Sequence, residues 1–395
     1  MVAALGLLMR YKIPFSLPAL NQKHLLHSHS HFAFTGWITQ TLFVLLIHFL
    51  IKQQKKVSLS KYRFILIANL VCCYGMLVSF IMQGYGAVSI TFSTLSVIVY
   101  YLFCVWFYAD LNKEPAHPSK NWFKASLLFG VLSTLGTFYL AYMMYTKSVN
   151  QDHYLGSLYF FLHFQYNGWF LFASMGLLIM WLKEKLPSVT VKPVIFHLFF
   201  WACVPAYLLS ILWANLPLWL LVLTAVAAVA QFAGWGMFLA QLRSAWPRLQ
   251  NQVNRLGGII MVLVGFAFTI KLVLQLGSTI PAVSKLAFGF RPIVIAYLHL
   301  ILLGVFSLYL LGYSYLNSFL TRNKTTSLGL ITIVAGVFLN EFVLLVQGVA
   351  GFSYTPLPYV NEILLGVALL IFLGVAVLLV SQFGRNDPES IQATA

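Results

Sequence analysis

Long apolar stretches alternate with short polar segments along the whole chain. Eleven of these stretches reach about 20 residues and contain few charged side chains, and that is the length an α-helix needs to cross a bilayer. The pattern therefore predicts an all-α, polytopic membrane protein. The predicted spans are 32–52, 63–84, 86–109, 121–145, 153–182, 193–212, 216–242, 256–277, 291–317, 327–349 and 359–384.

Residues 1–20 form a shorter apolar segment that is interrupted by Arg10 and Lys12. We interpret this segment as a further helix of unusual shortness; the alternative is that more residues precede Met1. Counting it as helix 1 predicts about 12 transmembrane helices in a single integral membrane domain, 1–395.

The composition agrees with membrane residence. Of the 395 residues, 61% are hydrophobic and 8% are charged, and the mean hydropathy is +0.87. Soluble domains carry about 25% charged residues, so a soluble enzyme, a secreted disulfide scaffold and a nucleic-acid-binding domain are excluded. The net charge of +16 is not a signal for nucleic acid, because the cations lie in clusters between apolar stretches. The partner that the composition predicts is the lipid bilayer.

The cations fall unevenly on the two sides of the predicted spans. Alternating the spans places 17 of the 24 Lys and Arg residues on one side, six on the other and Lys271 inside a span. Cation-rich loops face the cytoplasm in most membrane proteins. We therefore expect a multi-pass protein of the inner membrane of a bacterium, with its C-terminus in the cytoplasm.

Four cysteines lie within apolar stretches, and none belongs to a C-x-x-C pair. This pattern does not support a zinc knuckle, a c-type haem attachment site or an iron–sulfur cluster. Buried packing is the role we predict for Cys72, Cys73, Cys104 and Cys203.

Three histidines inside predicted spans share a local pattern. His31, His163 and His299 are each followed five residues later by a glycine, and the first two belong to the similar strings HFAFTGW and HFQYNGW. Their separations of 132 and 136 residues are close to a third of the chain. Chance could produce such a match, but internal repeats are common in membrane proteins. We predict three pseudo-repeated four-helix units, about 1–120, 121–255 and 256–395.

Three such helices would bring three imidazoles together at a similar depth. A neutral nitrogen ligand suits haem iron and copper without burying a net charge. Arg291 precedes His299 by eight residues, about 12 Å along a helix at ~1.5 Å per residue. Arg291 is therefore a candidate for binding a haem propionate, and the alternative is an anchor at the membrane interface.

The helix number and the three histidines resemble subunit I of the haem-copper oxidase superfamily, which includes cytochrome c oxidases and the large subunit of nitric oxide reductases. The run HLLHSHSHFAFTGW contains the string HSHSHFAFTGW. Read from His29, this string is similar to the H-x-H-x4-G-W motif of cb-type oxidases. NnrS-type haem-copper membrane proteins look similar in length, span number and histidine-led helices.

The resemblance implies that His31 and His299 are the axial ligands of a haem b and that His163 is a copper ligand. The chain departs from the family at several positions. Tyr297 stands where a second histidine of helix 10 would lie, and helix 7 has only His197 in place of an adjacent histidine pair. Tyr166 follows His163 by three residues, where the family's cross-linked tyrosine follows by four. The resemblance therefore implies an incomplete copper and high-spin haem site.

The run at 24–31 has a second interpretation. In a helix, His24, His27 and His31 share one face and His29 points away from it. We predict His27 and His29, beside the three repeat histidines, as further metal ligands for copper or zinc; solvated loop histidines are the alternative.

Two other ionisable groups lie well inside predicted spans. Lys271 and Glu341 are expected to form an ion pair, because an unpaired buried charge costs several kcal/mol. Glu341, with Asn340 and Gln347 nearby in sequence, also resembles part of a proton path. Tyr166, Glu341 and Lys271 are the candidate catalytic residues.

These observations predict a haem-binding membrane redox protein that transfers electrons, or reduces or senses oxygen or nitric oxide. A quinol or a cytochrome is the expected electron donor, and a small redox subunit is a further expected partner. The alternative is a cofactor-free, proton-coupled transporter that uses the same buried His, Lys and Glu residues. A structural relative without metals is a third alternative.

Overall fold

A computed structural model describes residues 1–53, 57–113, 116–284, 291–353 and 355–383, with only the backbone of Arg291 and Phe352. Every regular element in these ranges is helical. The helices are α1 Val2–Tyr11, α2 Gln22–Gln53, α3 Leu59–Gln83, α4 Ala87–Lys113, α5 Lys120–Tyr145, α6 from Gln151 to Lys185, α7 Pro193–Cys203, α8 Leu218–Leu249, α9 Arg255–Ser278, α10 from Arg291 to Leu316, α11 Lys324–Phe352 and α12 Val360–Val380. A 3₁₀ helix, Pro205–Ile211, follows α7.

Nine of the described helices are long and apolar enough to cross a membrane, and the number is ten if the bent pair of α7 and Pro205–Ile211 is one span. The helix α1 is apolar but shorter. Apolar side chains cover much of the outer surface of the described helices, as a lipid environment requires. The prediction of an all-helical, multi-pass membrane protein is therefore confirmed.

The predicted span boundaries agree with most helices to within a few residues, but α2 begins ten residues before its predicted start at 32. The reason is a local cap. The side chain of Asn21 accepts hydrogen bonds from the backbone N–H groups of Lys23 and His24, which satisfies two of the donors left free at a helix start. The polar histidine run is therefore helical, although its hydropathy is low.

The most deeply buried helix is α6. From His163 to Leu182 all but two of its residues are buried, the exceptions being Gln165 and Leu178. This helix is nevertheless absent from the nine candidate spans, because polar side chains at its centre reduce its mean hydropathy. A helix that is buried on all sides belongs to the core of a large helical protein, and α6 is the central helix here.

The predicted span 193–212 is a broken helix. Its α-helical part ends at Cys203, and the 3₁₀ part that begins at Pro205 is bent from it by 47°. Proline lacks an N–H group and its ring clashes with the preceding turn, which accounts for the break. All four cysteines are free and buried, so the predicted burial of these side chains is confirmed.

Candidate functional site

A π-helical segment begins directly after each of the three repeat histidines. The segments are Phe32–Thr39 after His31, Phe164–Phe170 after His163 and Leu300–Ser307 after His299. Each contains the glycine that lies five residues after its histidine. Because π-helical turns are rare and are frequently found at functional sites, three of them at matched positions make this region the candidate functional site. The π segments are features that the sequence pattern did not predict.

Two tryptophans join the π segments to one another. Trp169 Nε1 donates to Thr39 Oγ1 at 3.2 Å, and Trp37 Nε1 donates to Ser307 Oγ at 3.0 Å. In each bond, a tryptophan six residues after one histidine meets a hydroxyl eight residues after another. Val305 stands six residues after His299, where the other two helices have tryptophan, and Leu171 stands eight residues after His163, where the other two have a hydroxyl. The hydrogen bonds therefore follow the sequence repeat.

Aromatic packing brings the three segments to one centre. The ring of Phe170 lies 5.5 Å from Phe34 and 5.5 Å from Phe306, centroid to centroid. These side chains come from the second, first and third π segments respectively, and all three are buried. The helices α2, α6 and α10 therefore meet just beyond their histidines.

One face of the histidine run packs against the end of α3. The ring of His31 stacks on Phe80 with 4.4 Å between centroids, and its Nε2 lies 3.3 Å from the hydroxyl of Tyr85. The ring of His27 lies 4.6 Å from Tyr85, and Nδ1 of His24 lies 3.3 Å from the carbonyl oxygen of Ile81. His24, His27 and His31 thus share a face, as the helical spacing predicted.

His29 points in the other direction, towards α1 and α10. Its ring is packed so closely against α1 that a methyl group added at Gly6 would lie 3.4 Å from Cε1. Its Nδ1 is buried and has no hydrogen-bond partner among the described residues, while the ring lies within hydrogen-bonding range of the backbone of Val2. Nε2 of His27 is likewise buried without a partner in the described ranges. His29 is also within electrostatic range of His299. The structure therefore brings His29 towards His299, while His31 contacts Phe80 and Tyr85.

His299 is oriented by a bond to its own helix. Its Nδ1 lies 2.8 Å from the carbonyl oxygen of Ile295. Since a carbonyl only accepts hydrogen bonds, Nδ1 carries the proton and Nε2 has the lone pair. Histidines that bind metals are commonly fixed in this way, so Nε2 of His299 is available as a ligand.

Arg10 and Glu341 accompany this histidine pair. Arg10 on α1 is within electrostatic range of His299 and of Glu341 on α11, and Asn340 donates to the carboxylate of Glu341 at 3.0 Å. Arg10 is therefore the cation that the structure places beside His299. The sequence-predicted cation, Arg291, has a side chain that lies outside the described part of the chain.

The expected ion pair between Lys271 and Glu341 is absent. The Nζ atom of Lys271 is buried and has no hydrogen-bond partner within the described ranges; it lies 5.2 Å from the ring centroid of Phe268. Arg10 lies within electrostatic range of Glu341 but forms no ion pair with it in the described ranges. The contact between distant helices depends on their packing, and hydropathy does not specify it.

Lys271 faces the broken helix. It is within electrostatic range of Cys203 and His163. Two buried amide oxygens, of Gln275 and Gln231, likewise have no partner in the described part of the chain. Gln275 lies one turn beyond Lys271 on α9. Trp235 Nε1 on α8 donates to Thr269 Oγ1 on α9 at 2.8 Å, and this contact places Gln231, one turn before Trp235, at the same depth as Lys271.

His163 uses both ring nitrogens within the protein. Its Nε2 lies 2.8 Å from the carbonyl oxygen of Cys203, and its Nδ1 lies 3.1 Å from Nδ2 of Asn167. The carbonyl of Cys203 accepts, so Nε2 carries the proton, and Nδ1 accepts from the amide. His163 is fully buried, and it satisfies a carbonyl freed by the break after α7. A metal bound to His163 would have to replace one of these bonds.

Tyr166, the third candidate catalytic residue, lies near His163. It is buried, with its ring 6.4 Å from that of His163. It is also within electrostatic range of Tyr297 on α10 and within hydrogen-bonding range of Ser210. Of the three candidate catalytic residues, Tyr166 is therefore the one that the structure places beside His163.

The side chains around His299 can be compared with the ligands that a haem and a copper ion require. Two imidazoles from different helices with available nitrogens, and a nearby arginine, are the donor set of a bis-histidine haem. A copper or zinc site needs three or more ligands. In the parts of the chain that the structure describes, no three His, Cys, Asp or Glu side chains are placed to hold a metal ion. The predicted copper site therefore has no support in the described residues.

No protein-family model matches the chain, and a search of the curated proteins finds no match either. The functional conclusion therefore depends on the histidines, the π segments and the buried charges described above.

Proposed function

We propose that this chain is a haem-binding membrane redox protein in which His29 and His299 would hold the haem iron. The observation that supports it is the buried, unpartnered Nδ1 of His29 on the side of the helix that faces His299. A buried polar atom without a partner costs about 1–3 kcal/mol, and ligation to iron would remove that cost. This assignment replaces His31, the ligand that the sequence resemblance implied, by its neighbour two residues earlier.

The proposal includes about twelve spans in three four-helix units, with one histidine-led π segment in the second helix of each unit. Its support is the match between sequence and contacts: tryptophans at equivalent positions bond to hydroxyls at equivalent positions. At the third helix the tryptophan position is Val305, and at the second helix the hydroxyl position is Leu171; both are apolar and need no hydrogen bond. Such an arrangement is similar to subunit I of the haem-copper oxidases.

A haem, when bound, would supply an iron that transfers electrons; it would bind a diatomic gas such as oxygen or nitric oxide only after one of the two histidines leaves the iron. The chain's own residues bind and orient it. The bond from Nδ1 of His299 to Ile295 fixes the imidazole plane, and Arg10 is the cation for a propionate. Glu341 lies within range of Arg10 and compensates its charge. The electron donor, in this proposal, is a quinol or a cytochrome, with or without a small redox subunit.

The location belongs to the proposal as well. The excess of cations on one side of the spans supports a cytoplasmic C-terminus in a bacterial inner membrane, because positively charged loops are retained in the cytoplasm.

The visible spectrum of the purified protein tests the haem proposal. We expect a Soret band whose absorbance per protein falls at least ~10-fold in His29→Ala and in His299→Ala. The matched controls His31→Ala and His163→Ala should retain the band, because their rings contact Tyr85 and Cys203 instead. A colourless wild-type protein would overturn the proposal. Loss of the band in His31→Ala, with retention in His29→Ala, would restore the ligand that the sequence resemblance implied.

A second candidate function is proton-coupled transport without a cofactor. The specific observation that favours it is the unpartnered ammonium of Lys271 beside the break between α7 and the 3₁₀ helix. Broken helices with buried polar groups form substrate and ion sites in many transporters. In this case the protein is colourless, and proton-coupled uptake into proteoliposomes depends on Lys271.

The variant Lys271→Met should have a higher free energy of unfolding than the wild type, by about 1–4 kcal/mol. Methionine has a similar volume and removes a buried ammonium that has no partner among the described residues. Denaturant titration in detergent measures the difference, with Lys185→Met at the end of α6 as the control. A lower stability of Lys271→Met would mean that the ammonium has a stabilising partner and would contradict this interpretation. If the protein is a transporter, Lys271→Met loses uptake despite its higher stability.

A further inference from the structure

A cavity of about 570 Å³ opens at the end of the molecule where three spans begin or end. The helix α10 ends there at Leu316, and α9 and α11 begin there at Arg255 and Lys324. The cavity lies on the cation-rich side of the predicted spans. It is far in sequence from the histidines and does not contribute to the proposed haem site.

The mouth of the cavity is cationic. Arg322 and Lys324 line it, and Arg255 begins the adjacent helix. In the described ranges, the carboxylates that form ion pairs are those of Glu184 and Asp110, and they pair with other cations. The charges of Arg322 and Lys324 are therefore not neutralised by a described carboxylate.

Arg322 is held in place before any ligand arrives. Its Nη2 donates to the carbonyl oxygens of Leu316, at 2.9 Å, and Tyr315, at 3.4 Å. The guanidinium also lies 5.9 Å from the centroid of the Tyr315 ring. These contacts use one nitrogen and one face of the Arg322 guanidinium, so its other N–H groups remain free to donate to an anion. A preorganised guanidinium loses little entropy on binding phosphate.

The cavity changes from cationic to apolar along one face of α11. Lys324, Ser327, Leu328 and Ile331 follow at helical spacing and line the same wall. Leu328 is 58% exposed and Ile331 is 52% exposed, although both belong to a span. A ligand with an anionic head and apolar chains matches this sequence of surfaces: the head meets the cations at the membrane boundary and the chains cover the leucine and isoleucine.

Two helix N-termini reinforce the charge. Asn254 and Asn323 line the cavity and cap α9 and α11 through their side chains. Each helix start carries a partial positive charge from its aligned peptide dipoles. This contribution has the same sign as the two side chains and adds to their attraction for an anion.

We propose that this cavity binds one acidic phospholipid, with its phosphate on Arg322 and Lys324 and its acyl chains along Leu328 and Ile331. Basic pockets between transmembrane helices are known to recognise acidic head groups. The proposal is independent of the haem site, because no residue is shared between the two.

Native mass spectrometry of the full-length protein in detergent tests the proposal, with phosphatidylglycerol and phosphatidylcholine as probes. We expect one phosphatidylglycerol to be retained in preference to phosphatidylcholine. Arg322→Gln and Lys324→Gln should each weaken that retention about fivefold, the effect of removing one cation near a membrane surface. The exposed Lys192 lies outside the cavity, and Lys192→Gln should leave retention unchanged.

A second variant separates binding from folding. Ser327→Trp fills the cavity without changing its charge and should also reduce phosphatidylglycerol retention, while the helical content measured by circular dichroism stays the same. Equal retention of both lipids by the wild type, or unchanged retention in Arg322→Gln, Lys324→Gln and Ser327→Trp, would overturn the proposal. Displacement of the lipid by millimolar inorganic phosphate would show a plain anion site and would overturn the lipid assignment.

Discussion

Replacing Gly168 by alanine should lower the free energy of unfolding by about 1–3 kcal/mol, the usual cost of overpacking a well-packed core. A Cβ atom at this position would lie 2.4 Å from Cβ of Phe129 on α5, so the two helices would have to separate. The same change in an open helix is favourable, since alanine is better than glycine by about 1 kcal/mol in a helix interior. The sign of the effect therefore reports the close approach of α5 and α6.

The two equivalent glycines provide a graded comparison. At Gly36 the nearest atoms to a new Cβ belong to the ring of Phe32, at 3.0 Å, and at Gly304 the nearest atom is Cδ1 of Leu300, at 3.6 Å. We expect Gly304→Ala to be neutral or stabilising and Gly36→Ala to be intermediate. Gly236→Ala, where a Cβ would meet nothing within 4 Å, is the control. Denaturant titration in detergent measures all four, and equal stabilities for the three repeat glycines would contradict the packing argument.

Replacing His163 by leucine should destabilise the protein without abolishing the proposed haem binding. The change leaves the carbonyl of Cys203 and the amide of Asn167 without their present partners. Each buried polar group left unpaired costs roughly 1–3 kcal/mol. The effect should appear as a lower midpoint of denaturation and a faster loss of folded protein on heating.

Two further variants make this result specific. His197→Leu changes an exposed histidine on the same broken span and should have little effect on stability. His163→Gln retains an N–H group that can reach the carbonyl of Cys203, so it should recover part of the lost stability. A stable His163→Leu protein with an altered visible spectrum would instead identify His163 as a metal ligand, as the family resemblance implied.

The rotation of α2 about its own axis decides which histidine of the run 24–31 faces α10, and the sequence does not specify that rotation. Residues two apart on an α-helix lie about 200° apart around its axis, so His29 and His31 face opposite sides. The His-x4-Gly pattern identifies the turn of the helix but not the side that faces α10. That side follows from the packing of His31 on Phe80 and Tyr85.

The π segments illustrate a similar limit. The spacing from each histidine to its glycine marks their positions, but the backbone conformation depends on contacts between helices. Trp37 and Trp169 meet hydroxyls of other π segments, and these partners are distant in the chain. Short-range propensity therefore cannot distinguish these turns from an ordinary α-helix.

By itself the amino-acid sequence determined that this protein is helical and resides in a membrane, where most spans begin and end, and which turns carry a histidine and a glycine. Hydropathy suffices for these features because a span is an apolar segment of fixed length, whatever its neighbours are. Only the tertiary structure decided that Arg10 lies within electrostatic range of Glu341, that His163 caps a broken helix and that Nζ of Lys271 has no hydrogen-bond partner among the described residues. Those pairings require helices far apart in the chain to be rotated and packed against one another, and the pattern of apolar residues within one helix carries no information about that rotation.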